Sequence, residues 1–398
     1  MKVVFLNHET KLGGAELMLL RFLQACDRNR FDPAVLVAQK GEFVDVLRES
    51  RIPVYVLEVD SDFLAVRRDS SMLSALRPFA LNRALKQIRQ CVIDLRAEVV
   101  VSNSVKAHVY GSLSLRRMGT PYGWRLYDII DRRSFGRLQQ MLLHGLARRC
   151  PDSIACVSEA VRKPLSNAGI PDERLKVVYS GIDADRFAAN DSSKDWRKSL
   201  GLTAADLVVM LPGRIMPSKG HGVFVEAARL VVAELPTVRF LIAGESFYDE
   251  FDYEAELRAA VAKAGLSQHV EFLGFQKDMR SVYSASDIVV VPSLIPDSLP
   301  TVILEAMAAE RIVIGSDIGG AAEIITDGQD GFLVPPGDAG MLARKILDLT
   351  VAHSRWIEIG RKARNRIELK FNQARYVQEM HAWLEILCKG GSGEKSAE

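Results

Sequence analysis

Two carboxylates, Asp297 and Glu305, lie in Pro292-Ser-Leu-Ile-Pro-Asp-Ser-Leu-Pro-Thr-Val-Ile-Leu-Glu-Ala-Met307, where a loop turns into a helix. Pro300 is expected in the first turn of that helix, where its missing N–H costs nothing, with Asp297 or Ser298 as the cap. The N–H groups of Thr301 and Val302 would then face the loop with partial positive charge and suit a phosphate. Glu305, about one turn further in, is placed to accept hydrogen bonds from sugar hydroxyls. Upstream, Pro212-Gly-Arg-Ile-Met-Pro-Ser-Lys-Gly-His-Gly222 carries Arg214 and Lys219 on a loop bracketed by glycines. Two cations there could neutralise a diphosphate that departs with negative charge. Together these residues fit a ligand that is part phosphate and part sugar.

Such groups must be held by a scaffold, and the apolar runs outline one. Residues 2–7, 34–38, 54–59, 98–102, 124–127 and 153–157 read as buried strands, followed by 207–212, 238–243, 269–273, 287–291 and 311–315. Helical patterns alternate with them, which implies parallel sheets wound with helices, and ligands in such folds bind beyond the carboxyl ends of the strands. The first strand ends in Asn7-His-Glu-Thr-Lys-Leu-Gly-Gly-Ala-Glu16, where Gly13 and Gly14 let backbone approach a ligand or simply turn the chain. The segment is not Gly-x-Gly-x-x-Gly, which argues against a dinucleotide site. Later strands end in Phe240-Leu-Ile-Ala-Gly-Glu245 and Val270-Glu-Phe-Leu-Gly-Phe275, and Asp317-Ile-Gly-Gly-Ala-Ala-Glu323 contains a second glycine pair. The Gly181 turn and the polar stretch 188–194 mark a boundary between two domains.

In this order the motifs resemble the retaining family-4 glycosyltransferases (glycosyl transferases group 1), over nearly all of residues 177–345 and thinly before them. The resemblance implies the GT-B fold: α/β, with two Rossmann-like doubly wound domains facing each other across a cleft. Residues 1–182 would be the acceptor-binding domain and 183–370 the nucleotide-sugar-binding domain. A helix at 371–389 would cross back to the first domain, before a disordered tail at 390–398. It also implies roles: Arg214, Lys219 and the Thr301 and Val302 amides on the diphosphate, Glu305 on the ribose, and Asp297 on the transferred sugar. Phe275 and Gln276 would meet the base, Leu299 would join the nucleotide-binding positions, and the Gly13–Gly14 backbone would meet the diphosphate or the sugar. Two positions depart from the pattern. Asp297 stands where the family usually has Glu, and Tyr127-Asp128 stands where many relatives have His followed by Asp. A Tyr, with an unperturbed pKa of ~10, cannot take over the neutral-pH duties of a His. Asp128 and the upstream His108 are then the candidates at the acceptor end, His108 being expected on a loop or helix surface.

Composition narrows the class. The chain has 398 residues, 48% hydrophobic and 26% charged, which suits a two-domain globular protein. Its five cysteines lack a Cys-x-x-Cys spacing, and no apolar run is long enough to span a bilayer, so a cytoplasmic enzyme without a bound metal is expected. The net charge of +2 is unevenly placed: residues 1–190 hold 29 Lys and Arg against 21 Asp and Glu, the remainder 23 against 29. The pairs Arg67-Arg68, Arg116-Arg117, Arg132-Arg133, Arg148-Arg149 and Arg162-Lys163 all fall in the first half. They read either as solvated helix faces or as attraction to an anionic membrane, at the inner membrane face, or to a phosphate-bearing acceptor. The expected partners are a UDP- or GDP-sugar donor and a glycan or lipid-linked acceptor of polysaccharide or glycoconjugate synthesis, with no cofactor and no nucleic acid. A non-catalytic nucleotide-sugar-binding protein and a sugar-nucleotide 2-epimerase of similar architecture are the competing readings.

Overall fold

A computed structural model of the chain describes residues 1–9, 11–57, 78–188, 192–203, 206–246 and 251–390. Arg67 and Arg68, residues 189–191 of the boundary stretch, and the tail beyond 390 lie outside the described residues. The chain divides into two compact units, Met1–Gly181 with Gln373 onward, and Ile182–Asn372. The divisions fall one residue before and two residues after the boundaries expected at 182 and 370.

Unit 1 alternates β1 (Lys2–Asn7), α1 (Gly14–Ala25), β2 (Asp32–Val37), α2 (Glu42–Glu49), β3 (Val54–Val56), α3 (Pro78–Asp94), β4 (Val99–Ser102), α4 (Val105–Leu115), β5 (Tyr122–Leu126), α5 (Arg137–Arg149), β6 (Ser153–Cys156), α6 (Glu159–Asn167) and β7 (Leu175–Val177). Its strands form one parallel sheet in the order β3-β2-β1-β4-β5-β6-β7. Val3, Val4 and Phe5 of β1 and Val99, Val100 and Val101 of β4 have no exposure, as expected of central strands covered on both faces.

Unit 2 repeats the plan with α7 (Ser192–Ser199), β8 (Val208–Pro212), α8 (His221–Glu234), β9 (Arg239–Ala243), α9 (Phe251–Lys263), β10 (Val270–Gly274), α10 (Met279–Ala285), β11 (Ile288–Val291), α11 (Thr301–Ala308), β12 (Ile312–Ser316), α12 (Ala321–Ile324), β13 (Phe332–Val334), α13 (Ala339–Val351) and α14 (Trp356–Lys370). Its parallel order is β10-β9-β8-β11-β12-β13. A last helix, α15 (Gln373–Gly390), belongs to unit 1, where Tyr376, Met380, Trp383, Leu384 and Leu387 join Phe5, Phe22 and Val101 in one core. Gly123 of β5 makes room for it: a Cβ there would sit 2.8 Å from the Trp383 ring.

Strand order reverses between β1 and β4 in unit 1 and between β8 and β11 in unit 2. Neighbouring loops leave such a pair in opposite directions and open a crevice at the carboxyl edge, where doubly wound folds bind ligands. The expected strands appear within a few residues of their places, except that β3 ends at Val56 and residues 58–59 lie outside the described residues. Two strands, β7 and β13, were not expected. Each has three residues at the end of its sheet and is only partly buried, too short to show periodicity.

Candidate active site

The unit 2 crevice is built by close backbone approach. After β8 the chain turns through Gly213 and Gly220, at φ +133° and +77°. A Cβ on Gly220 would collide with the Pro292 carbonyl, and Leu294 N–H donates to Ser218 O at 2.8 Å, so the Lys219 loop lies directly on the loop after β11. That second loop is held from its other side. Gly320 N–H donates to Asp297 O at 2.7 Å, and a Cβ on Gly319 or Gly320 would strike the Asp297 or Ser298 carbonyl. Gly220 and the Gly319–Gly320 pair thus bring the Lys219 and Asp297 loops together.

They meet as a half-buried ion pair, with Lys219 Nζ donating to Asp297 Oδ2. Arg214 is on the same loop but exposed, its guanidinium 3.0 Å from the Met216 sulfur. The helix start differs from expectation. α11 begins at Thr301, Pro300 occupies the cap position with φ −68° and ψ 104°, and no side chain caps it. Asp297 cannot serve as the cap because its carboxylate is turned to Lys219. Thr301 and Val302 are therefore the first two helical residues, whose N–H groups have no intrahelical acceptor.

Glu305 lies one turn into α11 and is fixed by a residue that sequence reasoning missed. Tyr283, wholly buried in α10, donates its hydroxyl to Glu305 Oε2 at 3.1 Å, with Val302 O at 3.4 Å. Burial, together with the Glu305 charge, drives the phenol well above its ordinary pKa, so it stays a donor. Nothing in the sequence pairs positions so far apart.

At the ends of β9 and β10, Gly244 bridges to Gly274, whose φ is +66°. Phe275 projects at 64% exposure, Gln276 donates to Leu273 O at 2.6 Å, and Leu299 is buried. A cavity of about 410 Å³ is lined by Glu245, Ser246, Glu254, Ala255, Arg258 and Gly274, the last of which precedes Phe275 in the chain. Here Glu254 accepts from Ser246 Oγ and Arg258 Nη2, both at 2.8 Å, and Arg258 lies 4.1 Å over the Phe272 ring. Partial burial would raise the Glu254 pKa, but the Arg258 and Ser246 hydrogen bonds outweigh it and hold it below the ordinary value.

In unit 1, the equivalent crevice collects Asn7, Gly13, Gly14, Glu16 and Asn103. Glu16, at 4% exposure, crowds Gly13 so closely that a Cβ there would be 2.9 Å from Glu16 Oε2. Burial pushes its carboxyl up to about 7; its own N–H lowers it, Glu9 raises it, and Asn7 and the Gly13 N–H lower it. Asn103 reaches Asn7 Oδ1 at 3.5 Å, and His8 Nδ1 lies 2.6 Å from Ser104 Oγ. Glu16 was in the quoted motif but not singled out.

His108 is corrected from a surface residue to a core one. It is 1% exposed in α4, stacked on Trp124 at 4.6 Å, with Nδ1 2.6 Å from Ser102 Oγ. Burial, with His8 nearby, pushes its pKa down to about 3, a setting that does not fit proton exchange with a sugar. Asp128, half-buried just after β5, keeps its place near the strand end. Tyr127 packs locally. The buried Arg125 guanidinium lies 5.0 Å from its ring and 5.6 Å from that of Tyr376, and donates to Ala155 O at 3.3 Å. A cation–π contact of this kind favours a large ring at this position.

Among the described residues no cluster of three metal-capable side chains occurs, and no helix is long and apolar enough to cross a membrane. Residues 206–351 match the family model described as Glycosyl transferases group 1, and residues 12–186 match Glycosyltransferase Family 4. The chain is 24% identical over 383 residues to the UDP-Gal:alpha-D-GlcNAc-diphosphoundecaprenol alpha-1,3-galactosyltransferase of Escherichia coli, covering 93% of this chain and 92% of that protein. With the amylovoran biosynthesis glycosyltransferase AmsK of Erwinia amylovora it shares 28% identity over 239 residues, 58% of this chain and about half (56%) of the relative's length. Among solved structures, Anabaena HepE in complex with UDP superposes with a TM-score of 0.85 at 27% identity, covering 97% of this chain and 100% of that one.

Proposed function

The chain belongs to the family-4 glycosyltransferases of the GT-B fold, and from that premise we propose that it moves a sugar from a nucleotide diphosphate donor to an acceptor hydroxyl with retention of anomeric configuration. The Lys219–Asp297 pair beside the start of α11 carries this reading. An ammonium has three donors, so the one given to Asp297 leaves two for phosphate oxygens. Lys219, Arg214 and the Thr301 and Val302 amides are the groups that would stabilise charge developing on the departing diphosphate, a preorganised arrangement of the kind that dominates many active sites. Glu305 takes the ribose hydroxyls and Asp297 the transferred sugar. Phe275 and Gln276, which follow the cavity's Gly274 in the chain, take the base. On the family's pattern the Gly13–Gly14 backbone meets the diphosphate or the sugar, and Asp128 is assigned to the acceptor end.

In the proposed step the bond from the anomeric carbon to the phosphate oxygen breaks, and the acceptor oxygen bonds to the same face of that carbon. The acceptor's proton passes to an oxygen of the leaving diphosphate. Complexes of HepE with UDP and with UDP-glucose favour a UDP-sugar as donor. The name of the Escherichia coli relative favours a lipid-linked glycan as acceptor, with a role in bacterial polysaccharide synthesis. The test is to incubate the protein with UDP- and GDP-sugars and extracted lipid-linked acceptors, measuring nucleotide release and the anomeric coupling of the product. Release coupled to a product of unchanged configuration supports the proposal. An inverted product would overturn retention, an altered sugar nucleotide without release would indicate an epimerase, and binding without either would indicate a non-catalytic protein.

A further inference from the structure

Helix α5 of unit 1 is unevenly covered. Leu143 and Ala147 are buried beneath it, while Leu138, Met141 and Leu142 stand out at 68%, 62% and 43% exposure. Single exposed leucines are ordinary, but three at this helical spacing form a continuous apolar ridge. Arginines bracket it. Arg132, Arg133 and Arg137 precede the ridge and Arg148 and Arg149 follow it, all exposed, and no acidic residue occurs between Arg132 and Arg149. Arg148 and Arg149 also tie down local carbonyls, at Ala168 and Gly145, which explains their position at a helix C-terminus. That explanation does not extend to Arg132, Arg133 and Arg137. On the neighbouring α4, Leu113 is 38% exposed and is followed by exposed Arg116 and Arg117, which extends the same chemistry.

We infer that the outer face of α5 docks on an anionic bilayer, with Leu138, Met141 and Leu142 entering the acyl boundary and the flanking arginines meeting lipid phosphates. Charge complementarity and side-chain type both point to lipid. Leucine is under-represented among the anchors of protein interfaces, and two of the three ridge residues are leucines. An in-plane helix needs an aliphatic face and cations at its margins, which α5 supplies without a single carboxylate to repel the membrane. Asp128, at the acceptor end of the proposed site, opens the loop that runs directly into α5. An acceptor carried on a membrane lipid would therefore be presented close to this face.

The full chain can be tested by sedimentation with vesicles of phosphatidylglycerol and phosphatidylethanolamine, and with vesicles of phosphatidylcholine alone, at low and high salt. Binding to the anionic vesicles, weakened by salt and about ten-fold or more by Leu138→Ser, Met141→Ser and Leu142→Ser combined, supports the inference. Arg132→Gln, Arg133→Gln and Arg137→Gln combined should weaken it comparably, and this set keeps the question open to test if the first fails to fold. Absence of vesicle binding by the unaltered chain overturns it, as does binding that both sets leave intact. So does an unaltered chain that dimerises through these residues and does not sediment with vesicles. The assay reads binding alone and does not depend on the proposed transfer.

Discussion

Lys219 is the side chain on which the proposed chemistry most depends. Lys219→Ala should lower turnover by about 100-fold or more, the ~3 kcal/mol scale of a lost oxyanion-type contact, with the thermal melt nearly unchanged. Near-normal turnover would exclude its role. Tyr283→Phe removes a hydrogen bond to a charged group, so nucleoside diphosphate binding should weaken by roughly ten-fold. For a 2′,3′-dideoxy nucleotide the loss should vanish; an equal loss for both ligands would show that Tyr283 does not act through Glu305. Glu16 yields a pH effect. Its folded pKa of about 7 exceeds the ordinary carboxyl value of 4.5, so its stabilisation is complete below 4.5 and is lost as pH rises through 7. Glu16→Gln cannot ionise, so its melting temperature relative to the unaltered chain should rise between pH 5 and pH 8; a constant difference would refute the assignment. Lys219 could be read from the sequence because its loop has its own glycines after a strand end, and Asp297 because its proline-rich loop runs from a strand end into a helix start. Tyr283, Glu254 and the burial of His108 could not. Their environments are set by Glu305, Ser246 and Trp124, contacts that no local spacing records.

Among the elements, the loop after β11 shows most clearly how the site is held. It is pinned between Gly220 on one side and Gly319–Gly320 on the other, so Gly320→Ala should displace Asp297 and Ser298. A misplacement of about 1 Å can cost ~100-fold, so single-turnover rates with the variant should fall by that order. An unchanged rate would show that the loop tolerates the shift. The central strands were legible because β-branched runs such as Val99–Ser102 and Ile288–Val291 alternate with helical patterns along the chain. The short end strands β7 and β13 were not, and the start of α11 was misplaced because Pro300 fits both the cap and the first turn sterically.

For the whole molecule, the division of the chain is the feature with testable reach. A chain ending at residue 372 should keep the strands of unit 2 protected from hydrogen exchange while β1 and β4 lose protection, since Trp383, Leu384 and Tyr376 complete the unit 1 core. Equal protection in both units would show that α15 is dispensable. The basic first half and acidic second half were plain from composition, but only the fold shows that Arg125 is buried between two tyrosine rings rather than displayed. The placement of α15 also sets an order in time. A ribosome releases all of unit 2 before α15 emerges, so the part of unit 1 that precedes unit 2 must wait for a helix that follows it. Unit 2, continuous in the chain, is free to fold while unit 1 is still incomplete, which reverses the usual N-terminal-first order of co-translational folding.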